Sequence, residues 1–176
     1  MTPMTSLPHD VVLSVFVTGL KNAHAVEHQA LALIDRQLDH LANYPDVADR
    51  LRLHRGETEQ QIDRLEEILD SFNESRSMLK DAALSFSGNM AALGHIFAPD
   101  EILKNSFANF AFENFEAASY KSLITIADVG SFANATPLLT QSLNEELAMA
   151  AWVDENNATL TRRYLERRAA GETASH

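Results

Sequence analysis

An all-α fold, a four-helix bundle with one long crossover, is predicted by three observations. Four stretches carry apolar residues at three- and four-residue steps. The five prolines fall in the N-terminal arm or at the breaks between stretches. Each stretch also carries acidic residues on the stripe that should face inward, as if all four shared one interior.

The first helix is expected from Val11 to about Tyr44. Phe16, Leu20, Ala23, Glu27, Ala30, Ile34, Leu38 and Leu41 recur there on one face. Residues 1–10, with Pro3 and Pro8, read as a flexible arm. Asn43-Tyr44-Pro45-Asp46 ends the helix, because the residue before a proline avoids helical geometry. Asp46 is the expected N-cap of the second helix. That helix runs through Leu51, His54, Glu57, Thr58, Gln61, Leu65 and Ile68 to about Phe72.

From Asn73 to Asn105 the pattern changes. Gly88, Gly94 and Pro99 interrupt an apolar stretch, and a structureless connection of this length is unusual in a compact domain. It reads as a long crossover carrying a short extra helix. Pro99-Asp100-Glu101 leads into the third helix, which continues to about Val129 and stops at Gly130-Ser131. Thr136 and Pro137 read as N-cap and first helical residue of the fourth helix. That helix extends to about Arg168, so the domain spans 11–168. The small, polar residues 169–176 read as a disordered tail. The other connections are short, so the helices they join are antiparallel. One long crossover in a four-helix bundle is the ferritin-like topology.

Composition narrows the function. At 176 residues with 45% hydrophobic and 22% charged residues, the chain suits one globular domain. A formal net charge of −11 argues against holding nucleic acid through its phosphates. Without cysteine there is no disulfide, iron–sulfur cluster or zinc–thiolate site, which fits a reducing cytoplasm. No stretch approaches the ~20 apolar residues of a membrane-spanning helix. The run Val11 to Val17 is too short for a secretory signal.

The inner-stripe acids carry the chemistry. A carboxylate in an apolar core is costly unless compensated, and a cation compensates several at once. Glu27, Glu57, Glu113, Glu116 and Glu146 are the candidate ligands, with Glu145 as the alternative to its neighbour. Leu139, Leu143, Ala150 and Val153 define the face that Glu146 shares. His54 joins them, three residues before Glu57 and on the same side of the helix. Gln61 and Tyr120 are candidate supports behind the ligands. This donor set favours two iron or manganese ions over zinc or copper. The competing reading keeps the acids metal-free, protonated or satisfied by Tyr120, Gln61 and Arg64. His24 and His28 read as surface or interface residues. His95 lies in the crossover and His40 near a helix end, and neither is among the candidate ligands.

Several runs resemble the bacterial YciE/YciF family. They are Phe16-Val17 with Ala25-Val26-Glu27-His28-Gln29, and His54-Arg55-Gly56-Glu57-Thr58 with Ile62-Asp63-Arg64-Leu65-Glu66. Glu113-Asn114-Phe115-Glu116-Ala117-Ala118-Ser119-Tyr120 and Leu143-Asn144-Glu145-Glu146 follow in order. The similarity spans about residues 12–165. It implies a ferritin-like bundle with an extra short helix, a homodimer, a link to bacterial stress responses, and kinship with rubrerythrin-type di-iron proteins. It leaves the reaction open. The chain departs from that family where histidines are common (Gln61, Asn114) and where acids are common (Gly19, Met149). A common tyrosine is His24.

Two functions follow. In one, a di-iron or di-manganese centre acts on peroxide, oxygen or Fe²⁺. In the other, a metal-free dimeric helical stress protein binds a partner without catalysis. Iron storage is a weaker third reading.

Overall fold

The computed structural model describes residues 7–73 and 101–174. Four helices account for nearly all of them: α1 (His9–Leu38), α2 (Pro45–Ser71), α3 (Glu101–Gly130) and α4 (Ala135–Ala169). There is no strand among the described residues. The short extra helix expected in the crossover, together with Gly88, Gly94, His95 and Pro99, lies outside them.

Cross-helix contacts fix the directions. Asp35 meets Arg55 and His24 meets Glu66, so α1 and α2 are antiparallel. Gln37 bonds Asn109 while Glu27 bonds Tyr120, so α1 and α3 are antiparallel too. Asp46 meets Arg163 and Arg64 meets Glu145, which sets α2 against α4 in the same sense. Helices α2 and α3 therefore run the same way. The chain between them must join opposite ends of a bundle about 40 Å long, at 1.5 Å per helical residue. This is the ferritin-like arrangement.

The core divides into layers. At one end Phe16, Leu20, Leu65, Leu69, Leu123 and Leu139 pack together. Phe16, Phe72 and Phe132 cap that end, with ring centroids 4.9 to 5.7 Å apart. At the other end lie Ile34, Leu51, Ile102, Met149, Val153 and Leu160. Between these apolar plugs sits a polar layer: Glu27, His54, Gln61, Glu113, Glu116, Ser142 and Glu146 are all buried. The plugs keep water from that layer, which sharpens every electrostatic interaction inside it.

The helix boundaries differ from expectation for physical reasons. α1 starts at His9, within the stretch read as an arm, and stops at Leu38. Leu41 and Tyr44 extend the apolar period, but they are buried from a turn rather than from a helix. Pro45, not Asp46, opens α2, since proline needs no helical N–H partner in the first turn. Asp46 instead accepts two hydrogen bonds from Arg163 at 2.8 and 2.7 Å. Ala135 opens α4 ahead of Thr136, which bonds Asp128.

The α3–α4 turn places Ser131 in the left-handed region (φ 58°). Gly130 is needed there because a side chain would collide with the Phe132 ring.

Residues 170–174, read as a disordered tail, fold back onto the bundle. Gly171 takes a left-handed conformation (φ 74°), and the Glu172 N–H bonds the Arg167 carbonyl at 2.9 Å, closing the helix end. The Tyr44 hydroxyl then donates to the Ala174 carbonyl at 2.6 Å.

Candidate metal centre

Each helix delivers part of the polar layer. α1 supplies Glu27, α2 His54, α3 Glu113 and Glu116, and α4 Glu146. Each of the five is 5% exposed or less, so none of their charges is relieved by solvent. On α3 the three-residue step aims Glu113 and Glu116 at the same interior, and Tyr120 follows one turn later.

The carboxylates lie close enough to interact, and one ligand atom each from His54, Glu113 and Glu146 lies within 4.8 Å of the other two. Glu116 is within reach of the carboxylates of Glu27 and Glu146, and Glu146 within reach of Glu113. His54 closes the group, with Nε2 3.0 Å from Glu113 Oε2 and 3.9 Å from Glu146 Oε2. The shorter contact is poorly aligned for a hydrogen bond and leaves Glu113 Oε2 without a donor. Oxygens of Glu27 (Oε2), Glu116 (both) and Glu146 (both) are likewise buried without a hydrogen-bond partner. Of the five side chains, Glu27 has the most direct support: the Tyr120 hydroxyl donates to its Oε1 at 2.5 Å.

Electrostatics follow from this geometry. Burial pushes the Glu27 carboxyl up to about 8, against the opposing pull of Tyr120. Burial raises Glu116 and Glu146 well above the carboxylate range, and the neighbouring acids raise them further. Burial alone would discharge His54, but Glu113 and Glu57 overcome it and lift the imidazole to about 9. One imidazolium cannot balance four carboxylates. Such a layer is stable only with protons on several acids or with a cation among them.

The donor set fits a divalent metal. Six orphaned oxygens from four carboxylates, with one imidazole, suit a hard ion such as iron or manganese. Glu57 stands apart from the buried carboxylates. It is partly exposed, accepts a hydrogen bond from His54 Nδ1 at 2.9 Å and one from Arg50 at 3.1 Å, and His54 holds its carboxyl below the usual range. It would fix the ring that presents Nε2 to an ion.

Glu145 also lies outside the cluster. Arg64 clamps both its oxygens at 2.7 and 2.9 Å, and Gln61 donates to it at 3.1 Å. Gln61 thus supports Glu145 rather than the carboxylates of the polar layer.

The sequence profile of the DUF892 family, described as a domain of unknown function, matches residues 12–166. The chain belongs to the DUF892 family. Solved structures agree with that membership and with the YciE/YciF resemblance. A protein from Xanthomonas campestris superposes with a TM-score of 0.75 at 24% identity, covering 90% of this chain and 99% of its own. The Escherichia coli stress protein YciF gives 0.69 at 21% identity, covering 84% and 97%. YcfI from Rhodopseudomonas palustris gives 0.66 at 19% identity, covering 88% and 98%. These likenesses carry the fold. In this DUF892 chain no described helix is long and apolar enough to cross a membrane.

Two partners of the site, and one buried histidine outside it, escaped the sequence reading. Ser142 accepts a hydrogen bond from Arg64 at 2.6 Å, and a serine within an apolar stripe leaves only a weak signal. Arg50 reaches Glu57 across seven residues, two helical turns along one face. His24, read as a surface or interface residue, is buried beside Glu66 with Nε2 3.2 Å from Oε1. Its spacing from Ala23 and Glu27 already put it near the inner stripe.

Proposed function

We propose that this chain is a ferritin-like stress-response protein whose bundle core holds two iron or manganese ions. The observation that carries this reading is the set of buried carboxylates whose oxygens lack hydrogen-bond donors, with His54, Glu113 and Glu146 offering ligand atoms within 4.8 Å of one another. Glu27, Glu113, Glu116 and Glu146 would hold the ions, with His54 as the nitrogen ligand. Such ions, when bound, supply redox chemistry toward peroxide, oxygen or Fe²⁺. The protein's part is to exclude water with its two apolar plugs, to orient His54 through Glu57, and to hold Glu27 through Tyr120. Glu27 and His54 also store the protons that an incoming cation must displace. The stress assignment draws on the description of YciF as a stress protein.

The same reading makes the chain a cytoplasmic homodimer. Phe107, Phe110 and Phe115 remain substantially exposed along α3, which favours burial against a second copy. Light scattering at micromolar concentration tests the dimer.

Metal analysis of protein from iron- or manganese-supplemented cells tests the centre. About two ions per chain are expected, lost in Glu27→Ala and in Glu116→Ala. Folded protein that stays metal-free after loading favours the other reading, a helical stress protein that binds a partner without catalysis.

A further inference from the structure

A second group of metal-binding side chains gathers where α1 packs on α2, apart from the carboxylate layer. His24 and His28 are four residues apart on α1 and so share one face of it. Their rings meet nearly edge-on, with centroids 4.5 Å apart at an interplanar angle of 72°. From α2, Glu66 brings Oε1 to 3.2 Å from His24 Nε2. One ligand atom from each of the three lies within 4.8 Å of the other two. His24 is 5% exposed, and its Nδ1 is buried without a hydrogen-bond partner. Glu66 is half-buried and His28 opens to solvent, so the group has a closed floor and an open mouth.

A His24–Glu66 hydrogen bond alone does not account for this arrangement. It gives no reason for a second imidazole packed against the first. A cation does, drawing two nitrogens and an oxygen to one point. From the geometry we infer that His24, His28 and Glu66 form a second, independent metal site for a late first-row divalent ion of the zinc class. Two imidazoles with one carboxylate suit such an ion, as in His₂Glu zinc sites, whereas the core, rich in carboxylate, suits iron or manganese. Small side-chain movements bring the three donors to the ~2.0–2.2 Å bond lengths of zinc. Three protein ligands leave a fourth tetrahedral position facing the open mouth.

Full-length protein stripped with chelator and titrated calorimetrically with Zn²⁺ tests the site. Co²⁺ serves as the coloured probe of a tetrahedral environment. One Zn²⁺ per chain is expected at this site. Its affinity should fall at least about tenfold in His28→Ala and in Glu66→Gln, and stay within about twofold in Glu116→Gln. His28 is exposed, so the melting temperature of zinc-free His28→Ala should match that of the parent. The inference is overturned if stripped protein takes up no Zn²⁺ or if both outer variants bind it as the parent does. Loss of Zn²⁺ binding in Glu116→Gln alone also overturns it, because the ion would then sit in the core. Iron or manganese uptake is read separately, so either site can fail without the other.

Discussion

The Tyr120 hydroxyl donates to Glu27 Oε1 at 2.5 Å, tying α3 to α1 within the polar layer. This bond works against burial by stabilising the ionised form of Glu27. In Tyr120→Phe the Glu27 carboxyl should therefore titrate above about 8, and core metal affinity should fall by about 10- to 100-fold. Metal titrations of the two proteins across pH would show it. Equal affinities with equal pH midpoints would mean that the hydroxyl merely packs.

Acid should favour the metal-free fold. Glu27 titrates at about 8 when folded, against an ordinary 4.5. Between those values the folded chain keeps a proton that the unfolded chain has released. Unfolding then sheds protons, and stability falls as pH rises from about 4.5 to about 8. Glu116 and Glu146, also raised, act in the same direction. Urea midpoints of chelator-treated protein should decline across that window, and a rise would contradict the burial argument. Added Fe²⁺ or Mn²⁺ should reverse the trend, since ions compete with protons for the same oxygens.

Glu116→Gln separates stability from metal binding. Both Glu116 oxygens are buried without donors and its carboxyl is raised well above the usual range, so the metal-free parent must hold a proton there that the neutral amide does not need. At pH 8 the metal-free variant should be more stable than the parent by about 1–3 kcal/mol. It should also lose the stabilisation that metal confers. Denaturant melts with and without Mn²⁺ measure both.

Arg64 is a structural partner on the rim of the layer. It holds Glu145 through both oxygens and donates to Ser142 at 2.6 Å. Arg64→Met leaves Glu145 its amide donors but no guanidinium and should cost about 3 kcal/mol. The double variant Arg64→Met with Glu145→Met should regain much of that loss. A single-variant cost below about 0.5 kcal/mol would place the pair with weak surface bridges instead.

The fold was legible because helical periodicity and proline placement are local signals, and the long connection between Phe72 and Glu101 forced the topology. The acids were legible as well, since each interrupts an apolar stripe. Ranking them needed three dimensions. Glu57 and Glu145 lie on nearly the right faces, yet each has an arginine within reach, supplied two turns away by Arg50 and from another helix by Arg64. Helical spacing gives direction but not the partner waiting there. The tail illustrates the same limit, because its dock is a tyrosine buried in the distant α1–α2 turn.

Parallel α2 and α3 mean that Glu27 and His54 arrive on one hairpin, while Glu113, Glu116 and Glu146 arrive on the other. Neither hairpin holds a complete ligand cage, so a cation would find its full coordination only after the two halves have closed. Once there it would act as a bolt across the seam, slowing the parting of the halves far more than it hastens their meeting.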